Sequence, residues 1–234
     1  MSIDSKRRAR TALFFSVALT LVVYILPLGA LISYPLVLLS TLAHELGHGV
    51  AAMMVGCRFE QFVLYSDGSG AAVTYGNPGR IAQAFISAGG LMGPSIAAAG
   101  CFYACRKGRT ARSTLMTVGA LLAVALVVVI RNAFGWFFVA TIASICLYTA
   151  AKAKEDTAQL VVLFVGVQLA LSVFSRSDYL FTNVAVTATG NGPSDVAKMA
   201  DALFLPYWMW GLVCGGFSVW VLWRGLHAFI KDTA

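Results

Sequence analysis

Apolar residues run along this chain in long blocks separated by short polar breaks. The blocks 11–33, 35–55, 81–104, 113–130, 133–151, 158–175 and 206–226 each supply about 20 residues, the length a helix needs to cross a hydrocarbon layer about 30 Å thick. Pro35 and Pro206 head their blocks, as suits a residue without an N–H in a helix's first turn. Arg131-Asn132 parts two blocks by only two residues, which predicts a tight helical hairpin or one long interrupted helix. Between the second and third blocks the period shortens. Phe62-Val63-Leu64-Tyr65 and Ala71-Ala72-Val73-Thr74-Tyr75 flank Asp67-Gly68-Ser69-Gly70, whose Asp-Gly and Ser-Gly pairs suit a tight turn, so a β-hairpin is predicted over 58–77. The predicted fold class is an all-α polytopic membrane protein, a bundle of six to seven transmembrane helices with this small hairpin. It forms a single domain over 1–234, with 11–33 as first span and 35–226 as core.

Composition agrees. Hydrophobic residues make up 59 % and charged residues 12 %, with a mean hydropathy of +0.79, which excludes an ordinary soluble domain. The net charge of +7 and the basic run Lys6, Arg7, Arg8, Arg10 fit a topology anchor against anionic headgroups, and nucleic acid is not expected as a partner. The first block is too long for the apolar region of a cleaved signal, and further blocks follow. A bacterial cytoplasmic membrane is the simplest expectation. Lys and Arg divide almost evenly between alternate loops, which leaves orientation open, and nothing in the chain specifies an oligomeric state. Cys57, Cys101, Cys105, Cys146 and Cys214 lack metal-ligand spacing and read as apolar packing.

The chemistry is concentrated in the second block, at His44-Glu45-Leu46-Gly47-His48. Residues four apart share a helix face, so both imidazoles can address one Zn2+ while Glu45 stands beside them as general base for water. Ionisable groups inside an apolar helix are costly and point to function. A third protein ligand is then required. Asp4, Glu155, Asp156 and Asp232 lie in terminal or loop charge clusters, and Glu60 and Asp67 belong to the hairpin region, leaving Asp178, Asp195 and Asp201. Asp178 closes an apolar block and is favoured. Asp195 is the alternative, although Ser194-Asp195 after Pro193 also suits a helix N-cap. Asn132 is a possible substrate-binding or oxyanion donor, Arg131 a headgroup anchor, and His227 a surface residue. In the third block Gly89, Gly93 and Ala97 make a face without bulk, suited to close approach by the motif helix at Gly47, Ala51 and Ala52.

The motif helix with Gly49 after it, the 67–70 turn, Ser87-Ala88-Gly89-Gly90-Leu91-Met92-Gly93-Pro94, Arg131-Asn132, the stretch from Ser172 to Asp178 and Ser194-Asp195 occur in an order that resembles the B-type branch of the site-2 protease family. The resemblance covers roughly residues 35–225. It implies an intramembrane zinc metalloendopeptidase that hydrolyses peptide bonds in or near a transmembrane segment of a membrane protein. One zinc per chain would be bound by His44, His48 and Asp178, with Glu45 as base. The larger branch of that family carries its aspartate in a Leu-Asp-Gly context, whereas this chain has Ser177-Asp178-Tyr179 and Ser194-Asp195-Val196. The alternative function is a catalytically inactive zinc-binding membrane scaffold that binds transmembrane helices. The intact Glu45 speaks against it, since a purely structural site needs no base. A small-solute transporter would call for paired repeats that are not evident.

Overall fold

The computed structural model describes residues 11, 13–18, 20, 22, 29–175, 177–188 and 190–233, without the side chains of Ala30, Ser177, Asp178 and Thr233. Of the expected first span, 11–33, residues 12, 19, 21 and 23–28 lie outside the described residues. From there the order is α1 (Gly29–Met54), β1 (Arg58–Leu64), β2 (Gly70–Tyr75), α2 (Arg80–Ala104), α3 (Gly108–Val128), α4 (Ala133–Lys152) and α5 (Glu155–Ser175). A 3-10 turn (Ser177–Leu180), β3 (Val184–Thr187), β4 (Gly190–Pro193), the short α6 (Asp195–Leu203) and α7 (Tyr207–Thr233) complete the chain. Six of these helices, all but α6, are long and apolar enough to cross a membrane. Leu121, Val127, Phe137, Tyr148, Trp220 and Trp223 lie exposed on their outer faces, as lipid-facing side chains do where helices meet hydrocarbon rather than water. The expected all-α polytopic bundle with a hairpin after the motif helix is the architecture observed.

α2 is the central helix, packed against α1, α5, α6 and α7. Its small residues explain that position. A Cβ on Gly47 would lie 2.2 Å from the Gly89 carbonyl oxygen, one on Gly89 would lie 2.5 Å from Ala51 Cβ, and one on Gly93 would lie 2.6 Å from the Ala43 carbonyl oxygen. α1 and α2 thus meet backbone to backbone, the contact expected from the glycine face. On α2's other side, Ser95 and Ser218 of α7 share a hydrogen bond of 3.1 Å, and a Cβ on Gly225 would meet Ala99 at 2.8 Å. α3 and α4 form the tight helical hairpin predicted at Arg131-Asn132. The Arg131 guanidinium turns back on the carbonyls of Val127, Val128 and Ile130, so it caps α3. At the opposite end Arg112 does the same for α4, donating to the carbonyls of Ala150 and Ala151.

β1 and β2 pair antiparallel from Arg58↔Tyr75 to Leu64↔Gly70, with a bulge between Phe59 and Gln61. Asp67 Oδ1 accepts from the Ser69 N–H (2.9 Å) and hydroxyl (2.6 Å), and Gly68 takes φ +88°, as the Asp-Gly turn requires. Those Ser69 hydrogen bonds hold the Asp67 carboxyl below its usual range. The turn is tied to α1 by the Tyr34 hydroxyl on the Ser66 carbonyl and the Thr41 hydroxyl on the Gly68 carbonyl, both at 2.7 Å.

Two departures from the sequence reading stand out. Pro35 lies inside α1 rather than at its head, since helix begins by Gly29; a missing hydrogen bond inside a membrane helix is tolerated. A second antiparallel hairpin, Val184↔Pro193 to Thr187↔Gly190, occupies a stretch with no predicted structure. Gly190-Asn191-Gly192-Pro193 has little strand propensity of its own and becomes a strand by pairing with Val184–Thr187.

Replacing Gly89 by Val should disrupt the α1–α2 crossing, because no side-chain rotation relieves a contact with backbone. A loss of about 1–3 kcal/mol is expected in reversible unfolding in mixed micelles, and unchanged stability would show that the crossing is not tight.

Candidate metal centre

On α1, His44 and His48 face the same side with ring centroids 4.8 Å apart. They stand about 15 and 9 Å, respectively, from the helix's C-terminal end at 1.5 Å per residue. Gly90 of α2 makes room for the second imidazole, since a Cβ there would lie 2.2 Å from His48 Cε1 and Nε2. His48 Nδ1 is 2.8 Å from the Ile86 carbonyl oxygen, which can only accept, so Nδ1 carries a proton and Nε2 is the ring nitrogen turned toward the candidate metal group.

The third member comes from α6. Ser194 Oγ caps this helix by accepting from the Ala197 N–H at 3.2 Å, and the Ser194 N–H donates to the Asn183 carbonyl at 3.1 Å. Asp195, next in the chain, directs Oδ2 to 3.0 Å from His44 Nε2 and 3.1 Å from His48 Nε2, while the two Nε2 atoms lie 3.2 Å apart. His44, His48 and Asp195 form a group able to hold a metal ion. The spacing can be tested. Ligands about 2.0–2.1 Å from a tetrahedral zinc stand roughly 3.3 Å apart, within a few tenths of an ångström of all three separations. The donor set of two imidazole nitrogens and one carboxylate oxygen is equally suitable. Burial acts to raise the Asp195 carboxyl, but His48 and His44 beside it outweigh burial by charge and hydrogen bonding and hold it well below the ordinary carboxylate range.

Asp178, favoured from the sequence, falls in the 3-10 turn, and its side chain lies outside the described residues; its neighbours Tyr179 and Leu180 line the cavity over the metal group. Asp195, the alternative, is the carboxylate placed between the histidines. Asp201 is at the exposed end of α6, where its carbonyl accepts from Arg80. His227 is exposed and stacks on Trp223, as expected of a surface residue. Asn132 is occupied away from the metal group: its amide donates to the Leu64 carbonyl at 2.6 Å and accepts from the Leu64 N–H at 3.2 Å. It fastens β1 to the α3–α4 turn, where the Phe62 N–H also donates to the Val129 carbonyl and the Arg131 N–H to the Phe62 carbonyl.

Glu45 is buried, 7 % exposed, and lines the same cavity of about 450 Å³. Gly70 at the head of β2 packs so closely on it that a Cβ would lie 2.9 Å from Glu45 Cγ. Because the α3–α4 turn covers β1, the free edge of the first hairpin is that of β2, and Gly70, Ala71, Ala72 and Thr74 form one cavity wall. Ala185, Thr187, Asn191 and Gly192 of the second hairpin also line the cavity. The hairpin tips meet where the Ala188 N–H donates to Ser69 Oγ at 3.2 Å. Gly90, the Ile86 carbonyl and the second hairpin escaped sequence reasoning; alternation in Val184-Ala185-Val186-Thr187 ahead of a glycine was the one available signal.

The membrane-helix bundle thus gathers two histidines, an aspartate and a buried glutamate around one cavity, a group able to hold a metal ion. The chain belongs to the Peptidase M50B-like family, whose pattern it matches over residues 14–225. With six apolar helices among the described residues, it is an integral multi-pass membrane protein of a metallopeptidase family. Comparisons with curated proteins and with solved structures give no match.

Gly90→Ala separates the site from the fold. Alanine is the better helix former by about 1 kcal/mol, yet its methyl would drive His48 off the Ile86 carbonyl. Metal uptake should fall at least tenfold in chelator competition with the helix content unchanged; full uptake would show that His48 is not held as described.

Proposed function

We propose that this protein is a zinc-dependent intramembrane endopeptidase. Zinc would be held by His44, His48 and Asp195, with Glu45 as general base, and the substrate would be a transmembrane segment of another membrane protein. The convergence of three suitably spaced donor atoms beside a buried glutamate supports this reading most strongly. Asp195 takes the third position in this proposal, in place of Asp178. A bound zinc ion lowers the pKa of water and polarises a peptide carbonyl.

The chain's own residues supply the rest. Glu45 accepts a proton from the attacking water and returns it to the departing amine, the ordinary exchange of a general base turned acid. Gly70 packs against the glutamate, where a Cβ would lie 2.9 Å from Glu45 Cγ and 2.8 Å from Thr41 Cγ2. Cavity walls formed by two hairpins favour an extended substrate over a helical one. A transmembrane helix keeps its carbonyls hydrogen-bonded to itself, so it must unwind before hydrolysis, and the free edge of β2 offers replacement hydrogen bonds to the unwound stretch. A bacterial cytoplasmic membrane suits the basic N-terminal run.

Glu45→Gln keeps shape and removes the base. With the protein in proteoliposomes and a single-span peptide bearing helix-breaking residues as substrate, cleavage should fall about 10²–10⁴-fold while zinc content stays at one per chain. Unaltered cleavage would contradict the assignment of Glu45. Zinc binding without cleavage by the unsubstituted protein, across a panel of such peptides, would favour the inactive scaffold.

A further inference from the structure

The two oxygens of Asp195 have different surroundings. Oδ2 faces both histidines, whereas Oδ1 lies 3.2 Å from Lys198 Nζ. Asp195 and Lys198 are three residues apart on α6 and so share a helix face, and both line the metal cavity. The carboxylate end of the pair is buried, 9 % exposed, while the lysine side chain is 43 % exposed. An ion pair between two exposed side chains contributes little; here one partner is a candidate metal ligand with little solvent to satisfy its second oxygen.

That division matters because a carboxylate can bind a cation through one oxygen or through both. Two imidazoles and a two-oxygen carboxylate would fill four positions. Two imidazoles and a one-oxygen carboxylate leave one position for water, the arrangement of a catalytic rather than a closed site. We propose that Lys198 is a positioning residue that holds Oδ1 away from the metal, keeps Asp195 a one-oxygen ligand and so preserves the open position that hydrolysis needs. The inference rests on the metal-site reading above, and it gives α6 a second function beyond delivering the aspartate. The i, i+3 spacing fixes the geometry within a single helical turn, so it does not depend on how the hairpins move around substrate.

The test uses the full chain in detergent, stripped of metal and reloaded with Co2+, whose visible absorption is strong in four-coordinate tetrahedral sites and weaker in five-coordinate ones. Lys198→Met removes the charge and keeps the length; Lys198→Arg keeps the charge. The methionine variant should take up Co2+ but show weakened bands, and its zinc form should lose about 10–100-fold in kcat, the usual range for a residue behind a metal ligand, with little change in KM. The arginine variant should recover both the bands and most of the rate. Unchanged bands and kcat in Lys198→Met would overturn the proposal while leaving the metal site standing. Failure of the unsubstituted protein to take up Co2+ would instead remove the metal site and this inference together.

Discussion

The backbone-to-backbone crossing of α1 and α2 is the contact on which the remaining geometry depends. Gly47, Gly89 and Gly93 permit it, since a methyl at any of the three would collide with the facing helix. The crossing brings the Ile86 carbonyl to His48 Nδ1 and opens, over Gly90, the space its ring occupies. The two helices thus set the direction of the ring nitrogen proposed to bind metal. Packing of small residues, the ordinary means by which membrane helices associate, here also sets up chemistry.

A bilayer imposes a second constraint. Backbone that is neither helix nor closed sheet is tolerated at membrane depth only where protein or water satisfies it, and this chain meets that condition around its cavity. The first hairpin hangs from Tyr34 and Thr41 of α1 and is fastened by Asn132 and the α3–α4 turn along β1. Only β2's edge is then left toward the metal group. The second hairpin leads directly into the Ser194 cap of α6, so the strand that walls the cavity also delivers Asp195. The proposed ligands, the proposed base and the cavity walls come from elements far apart in the chain, while each is held by contacts within one or two neighbours.

Much of this was legible in the sequence because the signals are local. Four-residue spacing placed His44 and His48 on one face, Asp67-Gly68 announced its turn, and glycines at intervals of four announced the crossing. The carboxylate beside the histidines was harder to pick out for a physical reason. Asp178 and Asp195 both follow apolar or turn-forming stretches at plausible ends of elements, and which of them reaches the histidines depends on how β3 and β4 fold back, a pairing that Gly190-Asn191-Gly192-Pro193 does not advertise. Asn132 illustrates the converse. A polar side chain between two apolar blocks resembles a catalytic donor in sequence, whereas its amide has the reach and geometry to bind a strand's exposed N–H and carbonyl, and it does so at Leu64.

The central claim is that one cation is coordinated by α1 and α6 together. The most direct measurement is a structure of the zinc-loaded protein with anomalous scattering recorded on both sides of the zinc absorption edge. The expected result is a single peak about 2.0–2.2 Å from His44 Nε2, His48 Nε2 and one oxygen of Asp195. A zinc peak bound to Asp178 with Asp195 beyond ligand distance, or no peak between the two histidines, would contradict it.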